Sequence, residues 1–163
     1  MNDRYVKELA EAIVSIKGIS VAQSFLHNIL TPSELEEISK RLQIVKLLMK
    51  GVRADISLEE KRVDSPKGVT HFLWLPVKDH HAPKPSQFQM GVACLHCCVA
   101  NKINVYVHCE HGHGRAPTLV AAYLIFTGMK VDEAIAYIKK RRPTMHVTKR
   151  QLAALRRYAR RER

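Results

Sequence analysis

No charge-free apolar run in this chain approaches the roughly 18 residues that a membrane span needs. The opening "MNDRYVKELAEAIVSIKG" mixes acids and bases with apolar residues at helical spacing, so it does not read as a signal peptide. Disulfide scaffolding is excluded in a different way. The four cysteines, Cys94, Cys97, Cys98 and Cys109, all fall within one short stretch instead of being spread along the chain, and reduced thiols are expected. There is no internal repeat and no low-complexity segment. Aromatic residues make up only 6% of the sequence, so the basic end, "RRYARRER", has little beside Tyr158 on which bases could stack. A soluble, cytoplasmic protein is the expectation, with no specific nucleic acid and no membrane as partner.

The hydrophobic fraction of 46% over 163 residues is enough for one sizeable core, with or without a small appendage. Acidic residues are scarce, 15 against 27 Lys and Arg, and the resulting charge of +12 is uneven. Residues 1–50 hold 7 basic and 6 acidic side chains, so the excess lies in the remainder. Such a surface attracts polyanions without choosing among them, and a solvated helix face explains the last turns equally well.

The first fifty residues read as helices. Tyr5, Leu9, Ile13 and Ile16 share a face, and a short helix is expected near 21–29. Over 32–50 the helix is well marked: Thr31 and Glu34 have capping-box spacing, Pro32 suits the first turn and Gly51 can end it. Leu35, Ile38, Leu42, Val45 and Met49 form a narrow stripe suited to a sheet or a partner helix. Beyond Gly51 the pattern changes. "VRADISL", "THFLWLPV" and "KINVYVH" read as strands, with Phe72 and Trp74 in the core. Between the second and third, Phe88, Val92, Leu95 and Val99 give a helix face, and three further helices follow the third strand. Strands alternating with helices predict an α/β fold: a mainly parallel central sheet flanked by helices, preceded by a helical segment.

One loop carries the chemistry. In "NVYVHCEHGHGRAPTLVAAYLI" a strand ends at His108, a glycine-punctuated turn follows, and Arg115 opens a helix whose first turn accommodates Pro117. Gly112 and Gly114 let the backbone of Glu110, His111, Gly112, His113 and Gly114 curl into an anion nest at the positive end of that helix. Arg115 adds a planar fork for two phosphate oxygens. The field that holds phosphate also favours a thiolate, and such settings lower a cysteine pKa from about 8.5 to about 3.5–7.5. Cys109 is therefore placed as an in-line nucleophile, with a cysteinyl-phosphate as the expected intermediate. A buried thiol and an unrelated surface cation are the alternative. Zinc held by His108, His111 and His113 with the "CLHCC" thiols is another, but those cysteines share a predicted helix face, and no metal or cofactor is expected.

"VHCEHGHGRAP" resembles the Cys-x5-Arg signature loop of the protein tyrosine phosphatase superfamily, dual-specificity branch. The resemblance runs from about residue 51 to about 158, through "ADISLEE", "FLWLPVKDHHAP" and "RRPTMHVTKRQLAAL". It implies a phosphatase-like fold, a phosphorylated substrate, Asp79 as the general acid that protonates the leaving oxygen, and His108 as a support for the loop. Two departures stand out. Ala116 occupies the place where the family usually has Ser or Thr, a hydroxyl that assists hydrolysis of the intermediate. The strand pair that usually precedes the first helix is not recognisable. Residues 1–50 resemble instead the leading helices of the Trp-repressor-like family, which implies a homodimer. The continuation "VRADISLEEKRVDSP" offers no second capped helix to enter a major groove. Together the two resemblances describe a composite chain, helical over 1–50 and catalytic over 51–163. The function so read is cysteine-dependent hydrolysis of phosphate monoesters, on protein, sugar, lipid or nucleotide. The alternatives are a catalytically impaired phosphate-binding module and a dimerising transcription-regulator-like protein.

Overall fold

The computed structural model describes residues 3–61 and 68–162. The chain divides into two compact units, residues 1–45 and 46–163. The end of the predicted non-helical continuation, at 62–66, lies outside the described residues.

The first unit contains α1 (Asp3–Ser15), α2 (Ile19–Ile29) and most of α3 (Pro32–Met49). The capping box forms as the spacing requires. The backbone N–H and hydroxyl of Thr31 donate to Glu34 Oε2 at 2.8 and 2.7 Å, and Glu34 N–H donates back to Thr31 Oγ1 at 3.4 Å. Gly51, with φ of +81°, provides the left-handed turn that stops α3. No residue of α1 or α2 is buried. The stripe at Ile38, Leu42, Val45 and Met49 is exposed as well.

The second unit is built on a three-stranded, wholly parallel sheet in the order β2-β1-β3, from β1 (Val52–Ser57), β2 (His71–Trp74) and β3 (Asn104–His108). Its helices are α4 (Pro85–Ala100), α5 (Arg115–Phe126), α6 (Val131–Arg141) and α7 (Lys149–Arg161). Helix α5 is central, packed against α4, α6, α7 and β3. Ile56, Leu58, Leu75, Phe88, Val92, Leu95, Leu119, Ala122 and Leu155 make one continuous core. Parallel strands are covered on both faces, which accounts for the run of four buried residues Ala54–Ser57 in β1.

Two predicted core positions are corrected. Trp74 is 37% exposed. It sits on edge strand β2, where its indole N–H donates to Glu59 O at 2.8 Å, and an amphipathic ring is at home there. On α4, Val99 is exposed and Cys98 is buried in its place. Helix α4 approaches α5 closely at Gly91, where a Cβ would meet Leu119 Cδ1 at 2.6 Å, on the face that buries Phe88, Leu95 and Cys98.

Candidate active site

β3 ends at His108 and α5 begins at Arg115, so the loop between them lies at the carboxyl edge of the sheet and the amino end of the central helix. This is where an open α/β sheet binds its ligands. At the base of the loop Cys109 is 6% exposed. The backbone N–H groups of Glu110, His111, Gly112, His113 and Gly114 donate to no acceptor among the described residues. Unpaired amides at the positive end of a helix are what an oxyanion needs. Gly112 adopts φ of +66°, a conformation that favours glycine, and the Arg142 guanidinium lies against it.

Arg115 is 2% exposed and holds the site together. Its Nη1 donates to Val77 O at 2.9 Å, which fixes the guanidinium plane. On the other edge Nη2 lies 3.3 Å from Asp79 Oδ1 and 3.5 Å from Glu110 Oε2, while Nε has no partner among the described residues. That edge, one orphaned donor beside one shared by two half-exposed carboxylates, can grip two oxygens of a tetrahedral anion.

Asp79 is carried by the segment between β2 and α4. Desolvation pushes its carboxyl up, but the His80 backbone N–H, the Arg115 guanidinium and the His80 and His111 rings outweigh it and hold the group below the usual carboxylate range. His80 has φ of +59°, rare for a side chain larger than glycine or asparagine, and its backbone is clamped. Thr148 Oγ1 donates to His80 O at 3.3 Å, Gln151 Nε2 donates to His81 O at 3.0 Å, and His81 Nδ1 lies 2.8 Å from Asp79 O. Thr148 and Gln151 also form the capping box of α7. Gln151 lies against Gly114 too, where a Cβ would come within 3.1 Å of Nε2. One buried amide therefore connects the acid-bearing segment, the phosphate loop and the start of α7.

A cavity of about 290 Å³ opens above Cys109, lined by Asp79, His80, His111, His113, Arg115 and His146, with Gly114, Thr148 and Gln151 completing it. Of the sequence-predicted site residues, Cys109, Arg115, Asp79, His111, His113 and Gly114 meet in this cavity. Glu110 contributes its carboxylate to Arg115, and Gly112 turns the loop beneath Arg142. His108 points elsewhere, with Nε2 3.2 Å from Asp55 Oδ1 and its ring stacked 5.1 Å from that of Tyr106. His146, Thr148, Gln151 and Asp55 were not singled out from the sequence. Only Thr148 and Gln151 left a signal there, the capping-box spacing of "TKRQ".

No group of three or more His, Cys, Asp or Glu side chains among the described residues is arranged to hold a metal ion. Cys94, Cys97, Cys98 and Cys109 are free thiols. Burial, then the nearby Cys98 and Cys97, push the Cys94 thiol up to about 11, so it stays protonated at neutral pH.

The family follows from this fold and loop together. Residues 36–161 match the model of the dual specificity phosphatase catalytic domain, and the chain belongs to that family. Residues 4–64 also match the model of the Trp repressor protein. Dual specificity protein phosphatase 5 of Rattus norvegicus is 42% identical over 74 residues, 44% of this chain and 19% of that protein. Protein tyrosine phosphatase type IVA 3 of Homo sapiens is 42% identical over 94 residues, 56% of this chain and 53% of that protein. The chain thus spans about a fifth of one relative and about half of the other. Among solved structures, PTPMT1 in complex with PI(5)P superposes with a TM-score of 0.65 at 29% identity, covering 71% of this chain and 81% of that one. Tk-PTP in the active form shares the fold, with a TM-score of 0.65 at 24% identity, covering 73% and 86%. No described helix is long and apolar enough to cross a membrane.

Proposed function

We propose that this chain hydrolyses phosphate monoesters in two steps through a cysteinyl-phosphate. The observation that carries the reading is Arg115, a buried guanidinium that is tied to Val77 O, lines the Cys109 cavity and keeps an Nε with no hydrogen-bond partner among the described residues. In the first step the Cys109 thiolate attacks phosphorus, the bond from phosphorus to the leaving oxygen breaks, and Asp79 gives that oxygen its proton. The amides of Glu110 to Gly114 and the Arg115 fork hold the three non-bridging oxygens as charge redistributes. In the second step water attacks phosphorus, Asp79 takes the water's proton, the sulfur–phosphorus bond breaks, and orthophosphate leaves.

The substrate must displace Asp79 and Glu110 from Arg115 Nη2. That exchange also frees Asp79 to take up the proton it later donates. Phosphorylated tyrosine, serine or threonine in protein fits the family, and the lipid phosphate bound by PTPMT1 keeps a lipid within the range to be tested. Release of phosphate from an aryl phosphate by the native chain, and its loss in Cys109→Ser with the fold intact, is the test. Undiminished turnover in that variant refutes the mechanism.

A second reading, a domain that keeps phosphate without turning it over, is favoured by Ala116. This residue is 4% exposed beside Cys109 and offers no hydroxyl to the sulfur. The hydroxyl of Thr118 does not replace it, because it donates to Gly114 O at 2.8 Å. Tungstate binding without product release would establish this reading. The exposed Tyr5, Leu9 and Ile13 face, with the Trp repressor match, supports self-association through residues 1–50. Sedimentation of the native chain beside Leu9→Glu measures it.

A further inference from the structure

Asp55 is out of place by every ordinary rule of a parallel sheet. It lies in the middle of β1, the central strand, is 2% exposed, and neither carboxylate oxygen has an aligned hydrogen-bond partner among the described residues. Such a strand is expected to be a continuous apolar run, and an unpaired buried carboxylate is costly. His108 Nε2 lies 3.2 Å from Oδ1. The distance is that of a hydrogen bond but the alignment is not, as is common for working contacts in a ligand-free site.

The neighbours tie this pair to the nucleophile. Asp55 stands opposite Tyr106 and Ser57 opposite His108 in the β1–β3 register, and the Tyr106 ring lies parallel to that of His108 at 9°. Burial above all pushes the Tyr106 phenol up. The Arg142 guanidinium opposes this, and the charges of Asp55, Cys109 and Glu59 add to it. Leu58 N–H donates to His108 O at 2.9 Å, pinning the strand end just before Cys109. An ionised carboxylate only accepts, so a hydrogen bond across this distance needs a hydrogen on the imidazole nitrogen that faces it, and such a bond orients the ring.

We propose that Asp55 is a positioning residue for the Cys109 reaction, holding the His108 imidazole and, through it, the strand end that carries the nucleophile. The proposal rests on the reading of Cys109 as nucleophile. It differs from a packing role in a way that can be measured. A buried carboxylate kept for stability should destabilise the fold when removed. One kept for chemistry should leave the fold as stable or more so when an apolar residue replaces it.

The experiment compares Asp55→Val and Asp55→Asn, each alone and combined with His108→Ala. It measures thermal stability, kcat and KM on an aryl phosphate, and the ring nitrogen resonances of His108. Asp55→Val should melt at or above the native temperature, lose about 10–100-fold in kcat, and keep its KM. Asp55→Asn retains an acceptor oxygen and should recover most of that loss. With His108→Ala already present, Asp55→Val should cost nothing further, because the two residues act as a unit. Native kcat in Asp55→Val, failure of that variant to fold, or an equal loss with and without His108 each overturns the proposal. If the native chain itself releases no phosphate, the Cys109 reading fails separately. The ring resonances then decide: movement of the His108 nitrogens in Asp55→Val supports the contact, and unchanged resonances reject it.

Discussion

Asp79→Asn separates proton donation from binding. The substitution keeps the side chain's shape and removes its proton. In the native chain the carboxylate, 49% exposed, lies 3.3 Å from Nη2 of Arg115, which is 2% exposed, and a pair open to solvent on one side only is worth about 1–2 kcal/mol. A substrate that must displace it therefore loses about 5–30-fold in KM, and the variant should regain up to that factor. The effect on kcat is opposite and larger, a fall of about 10²–10⁴-fold on phenyl phosphate, whose leaving oxygen needs a proton. On dinitrophenyl phosphate, which departs as a stable anion, the loss should nearly vanish.

The pH dependence follows with its sign. The Asp79 carboxyl is held below the ordinary range, in spite of desolvation, by the His80 N–H, Arg115, His80 and His111. The acid form is lost as pH rises through that lowered pKa, so kcat/KM of the native chain falls as pH rises. A bound phosphate engages Arg115 and brings negative charge beside the carboxyl, which raises it. The corresponding limb in kcat should therefore lie at higher pH than the limb in kcat/KM. Initial rates for both leaving groups across the acid-to-neutral range supply both tests. Equal losses on the two substrates, or a native limb that persists in Asp79→Asn, would refute Asp79 as the donor.

Arg115→Lys replaces a fork by a point charge and should lower kcat/KM on any phosphate monoester by at least about 100-fold, read from initial rates. Gly91→Ala should leave catalysis alone and weaken the fold. Its new methyl would lie 2.6 Å from Leu119 Cδ1 and 3.0 Å from Leu75 Cδ1. The expected cost is about 1–3 kcal/mol in urea unfolding.

What could be read from the sequence was local. The signature loop, the helix that follows it and the Thr31–Glu34 cap depend on spacings of a few residues, and spacing survives in a linear text. Asp79 was reached through the family resemblance, which implies a general acid in the segment after the second strand. The contact between Asp55 and His108 left no trace, since it joins two strands whose pairing is a tertiary fact, and "VRADISL" reads as an ordinary strand in which Arg53, Asp55 and Ser57 alternate with apolar residues. The same holds for Gln151. Its capping role is visible in "TKRQ", but its grip on His81 O spans seventy positions. The close approach of α4 to Leu119 at Gly91, on the face that buries Cys98 and not Val99, is likewise something that a hydrophobic pattern does not record.

The most direct measurement is chemical quench of a phosphoryl-transfer turnover followed by mass spectrometry of the peptide that carries "VHCEHGHGR". The account predicts one added phosphoryl group on the Cys109 sulfur. It should be visible within the first turnover and favoured by Ala116, which offers the sulfur no hydroxyl, and it should be absent from Cys109→Ser. Phosphate found on a histidine of the cavity, or orthophosphate released at the native rate by Cys109→Ser, would contradict it.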